Sequence, residues 1–386
     1  MKKLILILIT CIFIPISAEG QKRYSEKILH GPWIQNLTHN SVTIMWITSD
    51  PSVPGILIGS DTSKMDLIYN SKDGMINAGD TLQKIRITGL QPGKRYMYRI
   101  YSRQIDIFEP YKITYNDTII SQAYSFTTTS VQSKTTNFIV FNDVHNNSTK
   151  MASYLKNINI NNQDIWFFNG DMVDYVQDKD QITTGFLDTA VFWFAKTKPF
   201  IYVRGNHEAR GRYARQFKNF FDFKDDSFYS SFDLGPVHFV ILDCGEDKPD
   251  NNQYYYQLAD YDNYRKEQLE WLKKEISTEK FSDASFRIVL CHMPIYKQPK
   301  MGYGMQYLSD NFGPVLEKAG IDLLLSGHTH SYAYLDREKS GFGYPVLVNS
   351  SNAFLKVSVN NNEINVLVKD INGNITNEII LKKSLK

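Results

Sequence analysis

Cysteine is scarce in this sequence of 386 residues, which contains three. Cys11 lies in the N-terminal apolar run, whereas Cys244 and Cys291 directly follow the strand-like runs FVILD and IVL. A cysteine at the end of an apolar run is typical of a buried, unreactive thiol, and a disulfide framework needs more cysteines than remain here. We therefore favour two buried thiols over a disulfide-supported fold.

An excess of charge of one sign is also lacking. The chain has 43 lysines and arginines against 41 acidic residues, a formal net charge of +2. Residues 1–18 contain two lysines and no acid, so the chain without them is close to neutral. This balance gives no support to nucleic acid or an anionic membrane as a main partner.

Long hydrophobic runs are absent beyond the N-terminus, so no later segment is expected to span a bilayer. The first residues, MKKLILILITCIFIPISAEG, combine Lys2-Lys3, an apolar run and small residues, which is typical of a secretory signal peptide. The run is short for a membrane anchor and contains Pro15. A lipid on Cys11 is a further alternative, although the apolar run continues past it. We expect residues 1–18 to be removed and the protein to be exported, to the periplasm or the medium, in soluble form.

Residues 26–130 show the alternation and turn spacing of an all-β sandwich. In SVTIMWITS, Val42, Ile44 and Trp46 share one face, and the positions between them are expected to be more polar or half-exposed. In LQPGKRY, the hydroxyl of Tyr96 could bond back to the backbone and fix a corner between two sheets. The segment resembles a fibronectin type III-like domain and has no cluster of ligand-type residues. We expect it to be structural and to shape one wall of a cleft.

Residues 131–136 (VQSKTT) are the predicted linker, and residues 135–386 repeat one pattern. A short apolar run ends, and ligand-type side chains follow it. The runs are FIVF before NDVH (142–145), IWFF before NGD (169–171), FIYV before RGNHE (204–208), IVL before CH (291–292) and LLL before SGHTH (326–330). Such runs are typical of buried strands, and sites in open α/β sheets gather at the carboxyl ends of strands.

Amphipathic segments separate these runs. Residues 262–277 carry Leu269, Leu272 and Ile276 at helical spacing, and residues 311–319 are a second predicted helix. Alternating strands and helices predict an α/β domain. The tail, residues 357–381, is predicted to add antiparallel strands. The fold class is therefore an all-β sandwich followed by an α/β domain.

Each polar residue after a run has an ordinary explanation when considered alone. Asp143 could cap a helix near Ser148, Asp171 and Asn206 could be turn residues, and His292 could be a satisfied core histidine. Five strand ends in series are harder to explain in this way. Together they carry five of the eight histidines, which are His145, His207, His292, His328 and His330.

The number of candidate ligands points to two metal ions. Side chains two residues apart in an extended chain point in opposite directions, so His328 and His330 suit two ions better than one. The seven candidates are Asp143, His145, Asp171, Asn206, His292, His328 and His330. If Asp171 bridges, each ion receives four protein ligands, as in two-metal sites with ions about 3.5–4 Å apart. Imidazole mixed with oxygen suits Zn, Fe, Mn or Co better than Ca or Mg alone.

The motif order DxH, GDxxD, GNHE, a later lone histidine and GHTH resembles the calcineurin-like metallophosphoesterase superfamily. The sandwich in front, GNHE (205–208), HMPIY (292–296) and the VHFVILD before Cys244 are more narrowly similar to the purple acid phosphatases. The resemblance covers nearly the whole chain after residue 18. It implies an αββα-type catalytic domain that hydrolyses phosphoric esters with two divalent or trivalent ions of Fe, Zn or Mn.

The same resemblance implies roles for individual residues. One ion would be held by Asp143, His145, Asp171 and His330, and the other by Asp171, Asn206, His292 and His328. The two cations would clamp the phosphoryl oxygens and activate a bridging water for in-line displacement. His207 would protonate the leaving group, oriented by Glu208 or Asp174, or would only orient the substrate.

Two positions depart from the purple acid phosphatase pattern, in which the first motif is usually DxG and a tyrosine three residues after the bridging aspartate ligates ferric iron. Here the first motif ends in His145, and Asp174 occupies the position of that tyrosine. Tyr175 lies one residue later and is expected to point elsewhere. We expect His145 to replace the tyrosinate, which favours a divalent pair without ferric charge-transfer colour.

The main functional hypothesis is an exported dinuclear-metal phosphatase acting on small-molecule phosphate monoesters. A phosphodiesterase or nucleotide hydrolase would use the same ligands, because substrate loops decide between them. A third alternative is a non-catalytic surface binding protein in which the sandwich is the working module, although all seven ligand positions are filled. The nearby basic residues Arg204, Arg210, Arg212 and Arg215 could bind phosphate, and we expect at most one of them to do so.

Overall fold

The computed structural model describes residues 28–383, and the predicted signal peptide, residues 1–18, lies outside them. The first described part consists of strands. They are β1 (Ile28–Gln35), β2 (Ser41–Gly59), β3 (Asp66–Ile68), β4 (Ser71–Lys72), β5 (Met75–Ile76), β6 (Asp80–Thr88), β7 (Arg95–Glu109), β8 (Lys112–Ile120) and β9 (Tyr124–Thr127).

The long strand β2 belongs to both layers of a β-sandwich. Its first half pairs with β1 and β6, and its second half pairs with β3 and β7. Side chains from both halves, Trp46 and Ile56 among them, meet in one buried core. The indole N–H of Trp46 donates to Ser102 Oγ at 3.0 Å, so the polar atom of this buried ring is satisfied.

The predicted corner at Tyr96 is confirmed. Its hydroxyl accepts a hydrogen bond from the backbone N–H of Gln91 at 3.0 Å, which fixes the turn that leads into β7. The ring stacks on Phe126 of β9 with centroids 5.8 Å apart. One tyrosine therefore links the turn, β7 and β9.

The expectation that β2 is half-buried is wrong. The positions between its inward-facing residues are also buried, with Thr43 and Met45 0% exposed and Ile47 2% exposed. Met45 and Ile47, together with Trp33 of β1, belong to a core cluster of the α/β part. The α/β part covers the face that the alternation assigned to solvent, so β2 packs on both sides.

The second described part contains two sheets. Their strands are β10 (Thr135–Phe141), β11 (Ile165–Asn169), β12 (Phe200–Val203), β13 (Ser230–Leu234), β14 (Val237–Leu242), β15 (Phe286–Cys291), β16 (Leu323–Ser326), β17 (Ala333–Leu335), β18 (Val346–Val348), β19 (Ala353–Asn360), β20 (Glu363–Asp370) and β21 (Ile375–Lys382).

Helices accompany these strands. They are α1 (Ser148–Leu155), α2 (Asp180–Ile182), α3 (Asp188–Ala190), α4 (Tyr261–Glu275), α5 (Glu279–Asp283), α6 (Tyr303–Asn311) and α7 (Gly313–Ala319). The π-helical turns Thr183–Leu187 and Val191–Ala195 follow α2 and α3. Short 3₁₀ turns are Ile160–Asn162, His207–Ala209, Ala214–Phe220, Lys224–Asp226 and Gln253–Tyr255.

The two sheets pack face to face and are covered by helices on both outer sides. Their orders are β12-β11-β10-β19-β20-β21 and β13-β14-β15-β16-β18-β17, with parallel pairing among β10–β12 and among β14, β15, β16 and β18. Phe138 and Phe239 are among the residues of the core between the sheets. One outer core includes α1 and the α2–α3 segment, and the other includes α4, α6 and α7. The predicted sandwich followed by an αββα-type α/β part is confirmed.

The five predicted apolar runs are β10, β11, β12, β15 and β16, and the predicted antiparallel tail is β19–β21. The first predicted helix is α4. The second, at 311–319, differs: the chain is already helical from Tyr303, and α7 starts anew with Pro314 in its first turn. Proline has no backbone N–H to continue the preceding helix, which explains the break.

Cys244 and Cys291 are buried free thiols, as expected. Between residues 28 and 383, no helix combines the length and the apolar character that crossing a membrane requires.

Asp222 ties the sandwich to the α/β part. Its carboxylate accepts hydrogen bonds from Thr43 Oγ1 at 2.5 Å and Asn36 Nδ2 at 2.8 Å, and Lys84 Nζ lies 3.2 Å away. Burial raises the pKa of this carboxyl, but the hydrogen bonds from Thr43 and Asn36 and the charge of Lys84 lower it further, so the net shift is downward from 3.8. The ionised form is therefore the one that the folded state stabilises.

Asp222→Ala should lower the free energy of unfolding by about 1–3 kcal/mol, because buried donors lose their acceptor. A carboxyl whose pKa is lower in the folded state than in the unfolded state stabilises the folded state at pH values above the unfolded pKa, and this stabilisation is lost as the pH falls. The difference in free energy of unfolding between wild type and Asp222→Ala should thus be constant above about pH 5 and shrink on acidification. Urea unfolding of wild type and variant at several pH values measures this difference, with a substitution at an exposed position, Glu267→Ala, as control. A pH-independent difference would contradict this account.

Candidate metal centre

The ligand-type residues gather where the carboxyl ends of parallel strands from both sheets meet. Several have left-handed backbone, with φ of 52° at Asp143, 51° at His145, 51° at Asp171, 70° at His328 and 59° at His330. Residues other than glycine rarely adopt this conformation, and each instance costs energy that the surrounding structure must supply. Strained loops therefore bring these side chains together at the site.

Six of the seven predicted ligands fall into two groups. Asp143, His145 and His330 form one group, and Asp171, His292 and His328 form the other, with ligand atoms in each group within 4.8 Å of one another. His328 and His330 do separate between the groups, but they do so from a turn of left-handed residues and not from extended chain.

Asn206, the seventh predicted ligand, adjoins the second group. Its Oδ1 lies 3.0 Å from Nδ1 of His328, and its side chain is buried with the residue 2% exposed. Amide oxygen and imidazole nitrogen are both suitable ligands for the metals considered above.

Asp143 has one satisfied and one unsatisfied oxygen. Its Oδ2 accepts hydrogen bonds from Asn142 Nδ2 at 2.6 Å and from the backbone N–H of His328 at 3.0 Å. Its buried Oδ1 has no hydrogen bond and lies 3.2 Å from Nε2 of His330 and 3.7 Å from Nε2 of His145. An orphaned carboxylate oxygen among imidazole nitrogens fits a cation placed between them.

Asp171 and His292 make the second group equally suited to a cation. Nε2 of His292 lies 2.9 Å from Oδ2 of Asp171 without the alignment of a hydrogen bond, while Oδ1 accepts from the backbone N–H of His207 at 3.0 Å. Burial raises the pKa of Asp171, but the neighbouring His292 charge lowers it well below its usual range. Burial lowers the pKa of His292, and Asp171 and Asp143 raise it to about 10.

The remaining histidines respond to the same charges in different ways. Burial and the His292 charge lower the pKa of His328 to about 4. Burial also lowers the pKa of His145, but Asp143, Asp171 and Asp174 together raise it. Asp171 is thus ionised and His328 neutral at ordinary pH, which are the forms that bind metal, whereas His292 would have to release a proton on binding a metal ion.

Contacts behind the groups set the orientation of the imidazoles. Nδ1 of His292 forms a hydrogen bond with the carbonyl oxygen of Asn169 at 2.7 Å, whereas Nδ1 of His145 lies 2.9 Å from Oδ1 of Asp174 without the alignment of a hydrogen bond. When the proton of a neutral imidazole is on Nδ1, the lone pair that can bind metal is on Nε2. Both rings therefore direct Nε2 toward the carboxylates of the site.

The predicted pairing of Glu208 with His207 needs correction. Glu208 is fully buried and accepts backbone N–H groups of Asp171 at 3.0 Å, Met172 at 2.8 Å and Gly205 at 2.8 Å, besides the Tyr202 hydroxyl at 2.6 Å. No described contact joins it to the His207 ring. Its carboxylate instead ties the loop after β11 to the loop after β12, because the short 3₁₀ turn directs adjacent side chains apart.

Asp174 contacts His207 through its backbone and not through its carboxylate. Nδ1 of His207 lies 2.7 Å from the Asp174 carbonyl oxygen, while the carboxylate faces His145. Nε2 of His207 lies 3.0 Å from NH1 of Arg210 and 3.8 Å from Oδ2 of Asp171. Because a guanidinium only donates, Nε2 accepts in this arrangement and Nδ1 carries the proton.

Glycine precedes two of the ligand residues for a steric reason. A Cβ at Gly205 would lie 2.2 Å from Oδ1 of Asp171, and one at Gly327 would lie 2.6 Å from Oδ2 of Asp143. Any side chain at these positions would displace a carboxylate of the site. The glycines of GNH and GHTH therefore make room for aspartates supplied by other strands.

Two asparagines that hold residues of the site in place were not predicted from the motifs. Asn142 donates to Asp143 and receives Asn349 Nδ2 at 2.6 Å on its own Oδ1, and Asn169 orients His292. Each directly follows an apolar run and precedes the ligand-type residues, and this position could have marked both as residues of the site.

Tyr175, which was expected to point away from the site, is half-exposed with 50% of its surface accessible.

Residues 136–332 match the family described as Calcineurin-like phosphoesterase. Purple acid phosphatase 15 of Arabidopsis thaliana is 23% identical over 361 residues, which cover 78% of this chain and 62% of that protein. Purple acid phosphatase 18 of the same plant is 26% identical over 166 residues, 39% of this chain and 34% of that protein. The chain thus spans less than two thirds of the length of these relatives.

Solved structures share the fold at low identity. Purple acid phosphatase PPD1 from yellow lupin (Lupinus luteus) seeds superposes with a TM-score of 0.67 at 14% identity, covering 91% of this chain and 74% of that one. PhoD superposes with a TM-score of 0.60 at 12% identity, covering 91% of this chain and 88% of that one. Both alignments extend over the sandwich and the α/β part together.

Asp174→Asn should weaken binding of one metal ion about 10- to 100-fold, the usual effect of removing a carboxylate that orients a ligand histidine. The variant keeps the backbone carbonyl that contacts His207. Calorimetric titration of metal-depleted protein with Zn²⁺ or Mn²⁺ measures the change. Glu267→Gln, on the exposed face of α4, is the matched control, and unchanged affinity in Asp174→Asn would disprove the orienting role.

Proposed function

Since the chain belongs to the calcineurin-like phosphoesterase family, we propose that it is a dinuclear-metal phosphatase that hydrolyses small-molecule phosphate monoesters. One observation carries the proposal: two adjoining groups of carboxylate and imidazole ligands in which Asp143 Oδ1 and His292 Nε2 have no hydrogen-bond partner. His207 stands beside both groups with its ring partly exposed.

The ligand set that we propose is the one predicted from the motifs. Asp143, His145 and His330 would hold one ion, His292, His328 and Asn206 the other, and Asp171 would bridge them. Bound ions of Fe, Zn or Mn would supply Lewis acidity toward the phosphoryl oxygens and toward water. The lowered pKa values of Asp143, Asp171 and His328 support this assignment, because metal binds carboxylates that are ionised and imidazoles that are neutral, and His292 would release a proton on binding.

We propose that His207 acts on the leaving group. Its backbone N–H donates to Asp171 Oδ1 at 3.0 Å and its Nδ1 is fixed by the Asp174 carbonyl at 2.7 Å, so the ring has a defined direction. Nε2 is the atom that faces the site, and with 26% of its side chain exposed the residue can reach a bound ester. Protonated at Nε2, the ring would donate to the departing oxygen and remain held at Nδ1.

The N-terminal residues support export, which we also propose. The basic start and apolar run of residues 1–18 are the features of a cleaved leader. Determining the N-terminal sequence of the secreted protein tests this proposal.

The sandwich is proposed to be a support for the catalytic part, because its buried contacts with that part are extensive and no described cluster of metal ligands lies within it.

The purified wild-type protein should contain about two metal ions per chain and cleave p-nitrophenyl phosphate faster than bis-p-nitrophenyl phosphate. Asp171→Asn should abolish both activities with the fold retained, because the proposed bridging charge is lost. Circular dichroism and Asp283→Asn, at an exposed position, provide the controls. Faster diester cleavage by wild type would favour a phosphodiesterase. Absence of both metal and turnover after supply of Zn, Mn and Fe would overturn the proposal.

His207→Ala should lower kcat about 10²- to 10⁴-fold on an alkyl phosphate, whose leaving oxygen needs a proton. On p-nitrophenyl phosphate the loss should be much smaller, because p-nitrophenolate leaves without one. Steady-state kinetics on both esters separates the two roles considered for His207. An equal loss on both would show that the ring orients substrate and does not act as an acid.

A further inference from the structure

Arg210 differs from the three other arginines that follow β12. The side chain of Arg204 is only 12% exposed, with NH2 2.6 Å from Asp243 Oδ2 and its guanidinium over the Phe228 ring. Arg212 and Arg215 are exposed, and Arg212 donates to the Gln177 carbonyl. Arg210 is the one of these four that contacts His207, through NH1 at 3.0 Å from Nε2.

The guanidinium of Arg210 is held from behind. Its Nε lies 2.6 Å from Oε1 of Glu246 and its NH2 lies 3.3 Å from Oε2, a two-point contact along one edge of the group. NH2 also lies 3.4 Å from Oδ1 of Asp247. The opposite edge, at NH1, points toward His207. Nε and NH2 are therefore occupied by the carboxylates of Glu246 and Asp247, and NH1 faces the proposed reaction centre.

Glu246 is itself fixed, so it can fix Arg210. Its side chain is 2% exposed, and its Oε2 accepts the Tyr255 hydroxyl at 2.7 Å and the backbone N–H of Asp247 at 2.9 Å. A donor that is oriented before substrate arrives needs little reorganisation when it binds an anion. The planar guanidinium of arginine also matches the geometry of phosphate oxygens better than other cationic side chains do.

Solvent can reach the front of this arrangement. The side chain of Arg210 is 31% exposed and that of His207 is 26% exposed. A phosphoryl oxygen entering between them could accept from NH1 in place of His207 Nε2. Such an exchange releases Nε2 while the Glu246 contact keeps the guanidinium in position.

We propose that Arg210 binds a terminal phosphoryl oxygen and thereby favours monoesters over diesters. This inference rests on the proposed phosphatase function. A phosphate monoester has three terminal oxygens, whereas a diester has two because the third carries a second organic group. The two ions would act as Lewis acids toward phosphoryl oxygens, and if each took one terminal oxygen, a monoester would keep a third one free. The donor at Arg210 NH1 has a partner to bind in the monoester and meets an ester oxygen or its substituent in the diester.

Arg210→Met removes the donors and retains most of the side-chain volume. Its kcat/KM on p-nitrophenyl phosphate should fall about 10- to 100-fold, the range expected when a hydrogen bond to a charged group is lost. On bis-p-nitrophenyl phosphate, which has the same leaving group, the fall should be less than about 3-fold. Binding of inorganic phosphate, measured by calorimetry, should weaken about 10-fold. Arg215→Met removes an exposed charge from the same segment and should change none of these values.

Loss of Arg210 leaves Glu246 as a buried carboxylate without its cation, which could destabilise the fold. The double variant Arg210→Met with Glu246→Gln removes both charges and must show the same change in the monoester-to-diester ratio. Equal losses on both esters with unchanged phosphate binding would overturn the inference and leave Arg210 as a structural partner of His207. If wild type cleaves neither ester, the proposed function itself fails, a result distinct from activity with an unchanged ratio.

Discussion

The structure depends on the confinement of ionised carboxylates among imidazoles where the carboxyl ends of parallel strands from two mixed sheets meet. Asp143 and Asp171 are almost completely buried, and such charges are costly unless a cation or hydrogen bonds compensate them. Much of the surrounding architecture serves this compensation. Asn142 and the His328 backbone satisfy one oxygen of Asp143, and Oδ1 has no hydrogen bond, as the proposed metal site requires.

The loops around the site are ordered by contacts that the ligands themselves do not make. Glu208 collects backbone N–H groups from two loops, so the turn after β11 and the turn after β12 form one body. The left-handed conformation of Asp171 is tolerated because these contacts hold the turn after β11 in place. On the solvent side of the site, Glu246 likewise holds the side chain of Arg210 in position. Buried carboxylates outside the proposed ligand set thus position the groups that would touch substrate.

The strands and the ligand groups could be predicted from the sequence because both depend on local order. Strands buried on both faces give continuous apolar runs, and parallel pairing brings their carboxyl ends to one edge. What could not be predicted depends on direction and on distant surfaces. Glu208 is adjacent to His207 in sequence but its side chain turns the other way. Met45 alternates as a solvent-facing residue, and only the packing of the second part explains its burial.

Burial of both faces of β2 has a consequence for how the two parts are related. Trp33 and Met45 belong to the same cluster as side chains of the α/β part, and Asp222 reaches back to Thr43 from the other side. A sandwich transplanted to another protein would carry an uncovered aromatic and aliphatic surface, and the remaining α/β part would carry its complement. The border that is visible in the sequence is therefore a packed interface in the structure, and the side chains on each side of it constrain which substitutions the other side accepts.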